Sequence, residues 1–324
     1  MKSAKAIHPM DELKEKLKDI LKVIPRGSNV FYLDYPVHSN GGDMLIMKGT
    51  EEFFKDYNIN VRARYSVLDF KEGTDIPSDC IIVLHGGGNF GDIYPAHQRL
   101  REMVIKNYPN HRIVVMPQTI FYKSEKEYDK TAAIFNKHRD LHVYLRDTLC
   151  YELALTKFTD CNVYLSPDMA HQLWPIANPK QTQKDTLYFL RTDVEAGNGQ
   201  ANLEVGSPAD TLDWQTLFTP FDNKVAKLFS KMYTVKRMAG NSLPVGALWY
   251  NYTDYLLKKA IELFSSYRVI KTSRLHGHIL SCLMDKQNIL IDNSYGKNSS
   301  YYYTWTHPIK TAQLHVNDAK SDLA

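Results

Sequence analysis

The chain reads as an α/β protein of two Rossmann-like domains facing each other across a cleft, and three features of the sequence carry that reading. Strand-sized apolar runs alternate with helical stretches from residue 30 to residue 165. A polar, proline-bearing break follows at 177–184, and a second, shorter alternation begins after it. Such alternation favours right-handed βαβ units and a parallel, doubly wound sheet.

The elements follow in order. Residues 11–24 carry Leu13, Leu17, Ile20, Leu21 and Ile24 at helical spacing with lysines opposite, which predicts a helix packed on the first domain. Strands are expected at 30–33, 61–68, 81–84, 113–116, 143–145 and 163–165. Helices are expected at 44–57, 95–107, 125–138 and 148–158. The N-terminal domain is drawn as residues 1–178. The C-terminal domain, 185–324, opens with a strand at 186–190 and helices near 221–239 and 252–266. A strand at 268–272, a helix from Arg274 and a strand at 288–291 complete it. Ligands of such sheets sit beyond the carboxyl ends of the strands, so the chemistry is sought there.

Composition removes several classes of function. The 324 residues suffice for two domains, and 44% hydrophobic with 23% charged is a globular composition. Lys+Arg 40 against Asp+Glu 36 leaves +4, too little to imply a nucleic-acid partner. The longest apolar runs are far short of a membrane span, and Met1–Lys5 lead into a charged segment without an apolar signal core. Cys80, Cys150, Cys161 and Cys282 are scattered, with no CxxC and no zinc spacing. They read as reduced thiols of a cytoplasmic protein.

The apolar run Ile81-Ile82-Val83-Leu84 enters His85-Gly86-Gly87-Gly88-Asn89-Phe90-Gly91-Asp92. A glycine-rich turn between strand and helix lets backbone N–H groups approach a ligand. Gly86, Gly88 and Gly91 satisfy G-x-G-x-x-G, but the next strand ends in Pro117-Gln118, without the carboxylate that a dinucleotide's ribose requires. Nicotinamide and flavin are therefore not expected. An earlier loop, Ser39-Asn40-Gly41-Gly42-Asp43, precedes a helix, and Asp43 reads as its cap or as an acceptor of a sugar hydroxyl.

The most chemical stretch is Val269-Ile270-Lys271-Thr272-Ser273-Arg274-Leu275-His276-Gly277-His278. A strand ends, Thr272 or Ser273 offers a cap, and a helix begins. Its N-terminus and the planar fork of Arg274 together suit an anion. His276, in the first turn, reads either as a hydrogen-bonded structural histidine or as a general acid that a bound dianion would keep protonated. Arg191, at the tip of the strand Leu187-Tyr188-Phe189-Leu190, reads either as a solvated edge residue or as a second clamp on the same anion. The following stretch, 192–223, has no Lys or Arg but holds Asp193, Glu195, Glu204, Asp210 and Asp213. It reads as a solvated loop or as a lid. Arg146-Asp147 reads either as a helix-capping pair or as a third strand-end anion ligand.

Taken in order, these segments resemble the polysaccharide pyruvyl transferase family over roughly residues 29–306. The carriers are Asn40-Gly41-Gly42-Asp43, His85-Gly86-Gly87-Gly88-Asn89 with Gly91-Asp92, Pro117-Gln118-Thr119 and Arg146-Asp147. Ser166-Pro167-Asp168, Arg191 with Asp193 and Glu195, and Ser273-Arg274-Leu275-His276-Gly277 complete the set. The resemblance implies a glycosyltransferase-B-like fold and transfer of a pyruvyl group from phosphoenolpyruvate onto a saccharide as a cyclic ketal. It implies His276 as the acid, with Arg274, Arg191, Leu275 and Ser273 on the donor. Asp43, Gly87, Gly88, Asn89, Gln118, Arg146 and Asp168 fall on the acceptor side.

By the same resemblance the acceptor is a saccharide or a lipid-linked oligosaccharide of exopolysaccharide, capsule or cell-wall synthesis. The place of work is the cytoplasm, at the inner face of the membrane where a polymer-synthesis complex would assemble. Phosphoenolpyruvate is a co-substrate, and no cofactor or metal is expected. One rival is a nucleotide-sugar glycosyltransferase of the same architecture, with Glu262 or Asp285 as the ribose carboxylate. The other is an inactive saccharide-binding subunit, for which Tyr301-Tyr302-Tyr303 and Trp305 would stack on sugars or simply pack a closing helix.

Overall fold

In the computed structural model the two alternations become two parallel sheets flanked by helices. The structure describes residues 7–179, 181–192, 200, 210–239, 244–293 and 296–315. Helix α1 (Pro9–Lys16) tightens into a 3₁₀ segment (Leu17–Lys22), so the helix expected over 11–24 is split. Its apolar face is the predicted one: Leu13, Leu17, Ile20 and Ile24 are all buried.

The first sheet comprises β1 (Asn29–Leu33), β2 (Asn60–Tyr65), β3 (Cys80–Leu84), β4 (Gly87–Gly91), β5 (Ile113–Phe121), β6 (Leu141–Leu145) and β7 (Asn162–Leu165). Its order is β2-β1-β3-β5-β6-β7, with β4 beside β5. Successive strands therefore wind outward in opposite directions from the β1/β3 pair, and a crevice opens beyond their carboxyl ends. The helices are α2 (Gly41–Asp56), α3 (Pro95–Asn107), α4 (Glu125–Phe135) and α5 (Thr148–Lys157). β2 stops three residues before its predicted end because the Asp69 carboxylate takes the Ser66 N–H at 2.7 Å and its hydroxyl at 3.0 Å, forming a turn. All five residues of β6 are buried, as a sheet covered on both faces demands.

The second sheet holds β8 (Lys184–Phe189), β9 (Thr211–Leu212), β10 (Tyr267–Thr272), β11 (Gln287–Leu290) and β12 (Ala312–Leu314), in the order β12-β11-β10-β8-β9. Its helices are α6 (Trp214–Leu217), α7 (Pro220–Ala239), α8 (Val245–Ser265), α9 (Leu275–Leu283) and α10 (Lys297–Tyr301). One apolar cluster runs through residues of both sheets, among them Val30, Met44, Leu187, Phe189, Ile270 and Ile279. A second lies on the other face of the first sheet, around Leu33, Ile82, Leu84 and Phe135. Helix α2 packs on α8 and α9, which brings the carboxyl ends of β1 and β10 together.

Candidate active site

At the end of β1 the chain turns through Asp34, which takes the left-handed φ of 61° and is buried. Its carboxylate lies 2.6 Å from His97 Nδ1, accepts from Asn89 Nδ2 at 2.9 Å and sits 3.8 Å from Arg101 Nη2. Burial alone would raise this carboxyl, but His97 and Arg101 together hold it below its ordinary value. Burial also acts against the His97 cation, and here Asp34 wins, raising His97 above the usual imidazole value. Asn89 is held at both ends, because its carbonyl accepts from Arg101 at 2.7 Å and from Gln118 at 3.1 Å. Beneath it Tyr32 bonds His85 Nδ1 at 2.5 Å, and burial pushes His85 down to about 4, so that ring is neutral at pH 7.

The glycine segment departs from expectation. It is a strand rather than a turn into a helix: Gly87, Phe90 and Gly91 pair with Gln118, Ile120 and Phe121 of β5, and α3 starts only at Pro95. Gly91 has φ +131°, and a β-carbon there would meet the Phe121 carbonyl oxygen at 1.8 Å. The glycines thus serve close strand pairing. A second departure concerns α2, which Asn40 caps through the Gly42 N–H at 3.0 Å. Asp43 stands in the first turn, 2.9 Å from Asn40 Nδ2 and 3.6 Å from His38 Nε2.

Arg146 and Asp147 divide the two roles left open for them. Asp147 caps α5 through the Cys150 N–H at 2.9 Å. Arg146, fully buried, reaches Asp168 Oδ2 at 2.6 Å and Thr119 Oγ1 at 2.8 Å. The same Asp168 oxygen lies 3.2 Å from His276 Nε2. Burial opposes charge on Asp168, but His276, Arg146 and the Ala170 N–H overcome it and hold the carboxyl far below its usual range. Tyr301 accepts from the Asp168 N–H, and the Trp305 indole donates to the Arg146 carbonyl. These two aromatics of the tyrosine cluster therefore close the helix around the Arg146–Asp168 pair.

In the second sheet, Arg274 is itself the cap residue of α9 and makes no side-chain cap bond, so neither Thr272 nor Ser273 fills that position. Its fork meets Asp213, with Nε to Oδ1 at 2.7 Å and Nη2 to Oδ2 at 2.6 Å. Asp213 also accepts from Thr192 and from the Trp214 N–H. The loop reading of 192–223 is thereby overturned for residues 210–223, which form β9, α6 and the start of α7 with Asp213 and Trp214 buried. Asp193, Glu195 and Glu204 lie outside the described residues. Ser273 positions Arg191, accepting from its N–H at 2.9 Å while donating to Gln200 at 2.6 Å. His278 has no access to the site: it is fully buried between Asn288 and Thr306, and burial pushes it down to about 4.

These pieces converge on a cavity of about 280 Å³ lined from both sheets. Of the predicted residues, Asp43, Gly88, Asn89, Arg146, Arg191, Arg274, Leu275 and His276 form its wall. Gly87, Gln118, Asp168 and Ser273 do not; Gln118, Asp168 and Ser273 bond to wall residues from behind. His38, Tyr94, His97, Trp214 and Lys297 also line it and were not foreseen. For Lys297 a signal existed, because it follows β11 as Arg274 follows β10, yet no periodicity marks it. A β-carbon on Gly88 would lie 2.9 Å from Lys297 Nζ and 3.4 Å from Arg146 Nη2, so this bare position leaves room for both cations beside it. The wall therefore carries Arg146, Arg191, Arg274 and Lys297 against Asp43, the one carboxylate among its described residues. Among the described residues no group of three or more His, Cys, Asp or Glu side chains is arranged to hold a metal ion, and no helix is long and apolar enough to cross a membrane.

The polysaccharide pyruvyl transferase family model matches residues 40–295. The chain is 42% identical over 315 residues to “Putative pyruvyl transferase EpsO” of Bacillus subtilis (strain 168), covering 97% of each. It is 30% identical over 301 residues to “Pyruvyl transferase 1” of Schizosaccharomyces pombe, covering 86% of this chain and 70% of that protein. The crystal structure of an uncharacterized Klebsiella pneumoniae protein superposes with a TM-score of 0.61 at 20% identity, over 94% of this chain and 99% of that one, which establishes likeness of fold. The family match spans Arg146, Arg191, Arg274 and His276 of the cavity wall, and the chain belongs to the polysaccharide pyruvyl transferase family of enzymes.

Proposed function

We propose that this enzyme moves the pyruvyl group of phosphoenolpyruvate onto two hydroxyls of one sugar, forming a cyclic ketal and releasing phosphate. The observation that carries the reading is the wall of three arginines and one lysine beside His276. Phosphoenolpyruvate presents a carboxylate and a phosphate, and planar forks plus an ammonium match both. Arg274, Arg191 and Lys297, with the N-terminus of α9 and Leu275 at its base, form the donor side. Asp43, Asn89 and His97 form the acceptor side, and Arg146 lies between them.

The chemistry begins when His276 delivers a proton to the methylene carbon. The carbon bearing phosphate becomes oxocarbenium-like, and one sugar hydroxyl adds to it. A second hydroxyl displaces phosphate and closes the ring. Of the two hydroxyl protons, one restores His276 and the other leaves on phosphate. Asp168, held ionised at 3.2 Å, orients the imidazole. In this reading residues 1–178 are the acceptor-side domain and 185–324 the donor-side domain of a glycosyltransferase-B-like pair. Its place is the cytoplasmic face of the membrane, on a saccharide or lipid-linked acceptor of a surface polymer.

A nucleotide-sugar transferase finds less support, because Glu262 and Asp285 do not line the cavity. The test is phosphate release from phosphoenolpyruvate with saccharide acceptors, together with detection of the ketal methyl group by NMR. Release that depends on acceptor supports the reading; no release with any saccharide of the producing cell's polymers overturns it.

A further inference from the structure

The cavity is not closed on its acceptor side. Past His38 and Asn40 a second cavity of about 530 Å³ begins, and those two residues line both. Its remaining wall is Ser39 from the β1–α2 loop, Gln215 of α6, and Asn223, Lys227 and Ser230 of α7, with Ala226 between them. Resting on the reading above, we propose that this second cavity is an oligosaccharide subsite. It holds the uncharged sugar residues next to the one that receives the pyruvyl group.

Size argues first. Ligand pockets commonly run about 300–1,000 Å³. The first cavity, at about 280 Å³, falls just below that range, whereas the second, at about 530 Å³, lies within it. Chemistry argues second. Most of the lining side chains end in an amide or a hydroxyl and none is acidic, and Asn, Gln and Ser present donors and acceptors together, as vicinal sugar hydroxyls do. The described wall has no carboxylate, and Lys227 with His38 are its only ionisable groups. Rigidity argues third. Ser230 Oγ donates to the Val37 carbonyl at 3.0 Å, tying α7 to the loop that follows β1. Asp222 anchors the start of α7 through Thr219, Tyr252 and Lys259. Asn40 bonds both the Gly42 N–H and Asp43, so the passage between the cavities has a fixed side.

The probe is the producing cell's own exopolysaccharide, partly hydrolysed and fractionated into fragments of one to five sugars. With phosphoenolpyruvate, kcat/KM for phosphate release should rise at least tenfold from one sugar to three. In the double variant Gln215→Ala, Asn223→Ala the ratio between three sugars and one should collapse toward unity, mainly through KM. These side chains are exposed or half-buried, so circular dichroism should show an intact fold. A flat dependence on length, or a variant that keeps the wild-type ratio, overturns the subsite while the transferase reading stands. If no fragment supports release, the transferase reading falls instead, and calorimetric titration of the three-sugar fragment decides the subsite. Binding that the double variant weakens tenfold upholds it. Absent or unaltered binding overturns it.

Discussion

Gly42 faces the ring of His276 so closely that a β-carbon there would lie 2.7 Å from Nδ1. Its neighbour Gly41 stands in the same relation to Trp214, with ring carbons 2.3 and 2.4 Å from the added atom. The paired glycines of the first α2 turn are therefore one contact at which side chains of α6 and α9 reach α2. Gly42→Ala should push the His276 imidazole out of line with Asp168. The expected outcome is a loss of turnover beyond tenfold with the fold retained. Steady-state phosphate release and circular dichroism check it, and wild-type turnover would mean that His276 need not stand where it does.

The fork of Arg274 on Asp213 makes two predictions of opposite kind. Arg274→Lys keeps a charge but loses the planar group that Asp213 holds at the cavity wall, and losing one charge-assisted bond to the donor costs about 1.5–3 kcal/mol. At least a tenfold fall in kcat/KM for phosphoenolpyruvate is expected. Asp213→Ala removes the carboxylate that takes two bonds from a buried guanidinium and should destabilise the fold by up to about 3–5 kcal/mol, measurable by denaturant unfolding. An unaltered kcat/KM in the first variant would remove Arg274 from donor binding.

His276→Gln should retain donor binding and lose turnover, because an amide can accept or donate a bond yet cannot deliver a proton. General acids contribute about 10²–10⁴-fold, and the loss should fall in that range or beyond. Binding is read by titration and turnover by phosphate release. Turnover within a few-fold of wild type would move the acid elsewhere, and His278 is no substitute, being fully buried on α9 between Asn288 and Thr306.

Acid stability should report Asp168. Its carboxyl is depressed in the folded chain, so the stabilisation it brings is complete above the ordinary carboxylate value near 3.9. That stabilisation drains away as pH falls below this value, where the unfolded chain takes up the proton first. Wild type should lose stability steeply below about pH 4. Asp168→Asn, less stable at neutral pH because Arg146 loses its partner, should show a flatter decline. Parallel slopes in denaturant titrations at pH 3 to 6 would exclude Asp168 as the source.

Much of the site was legible because strand ends are local features. Arg191, Arg274, Arg146 and Asp43 follow strands β8, β10, β6 and β1, and an α/β sheet gathers such positions at one rim. His97 escaped because it lies inside α3, where helical patterning offers no sign that it faces Asp34. The glycine run misled because consecutive glycines suit a turn and a tightly paired strand equally well, and only the nearness of the Phe121 carbonyl distinguishes them.

Sequence by itself determined the α/β class, the parallel sheets, the helix start at Asp147, and the types of residue set at the strand ends. Periodicity, caps and turn residues act over a few positions, so they can be read along the chain. Only the tertiary structure decided which charge each residue meets. Arg274 finds Asp213 across 61 residues, Arg146 finds Asp168 across 22, and Asp34 finds His97 across 63. In a buried site the effect of a charge depends on what lies within a few ångströms, and separation along the chain carries no record of that distance.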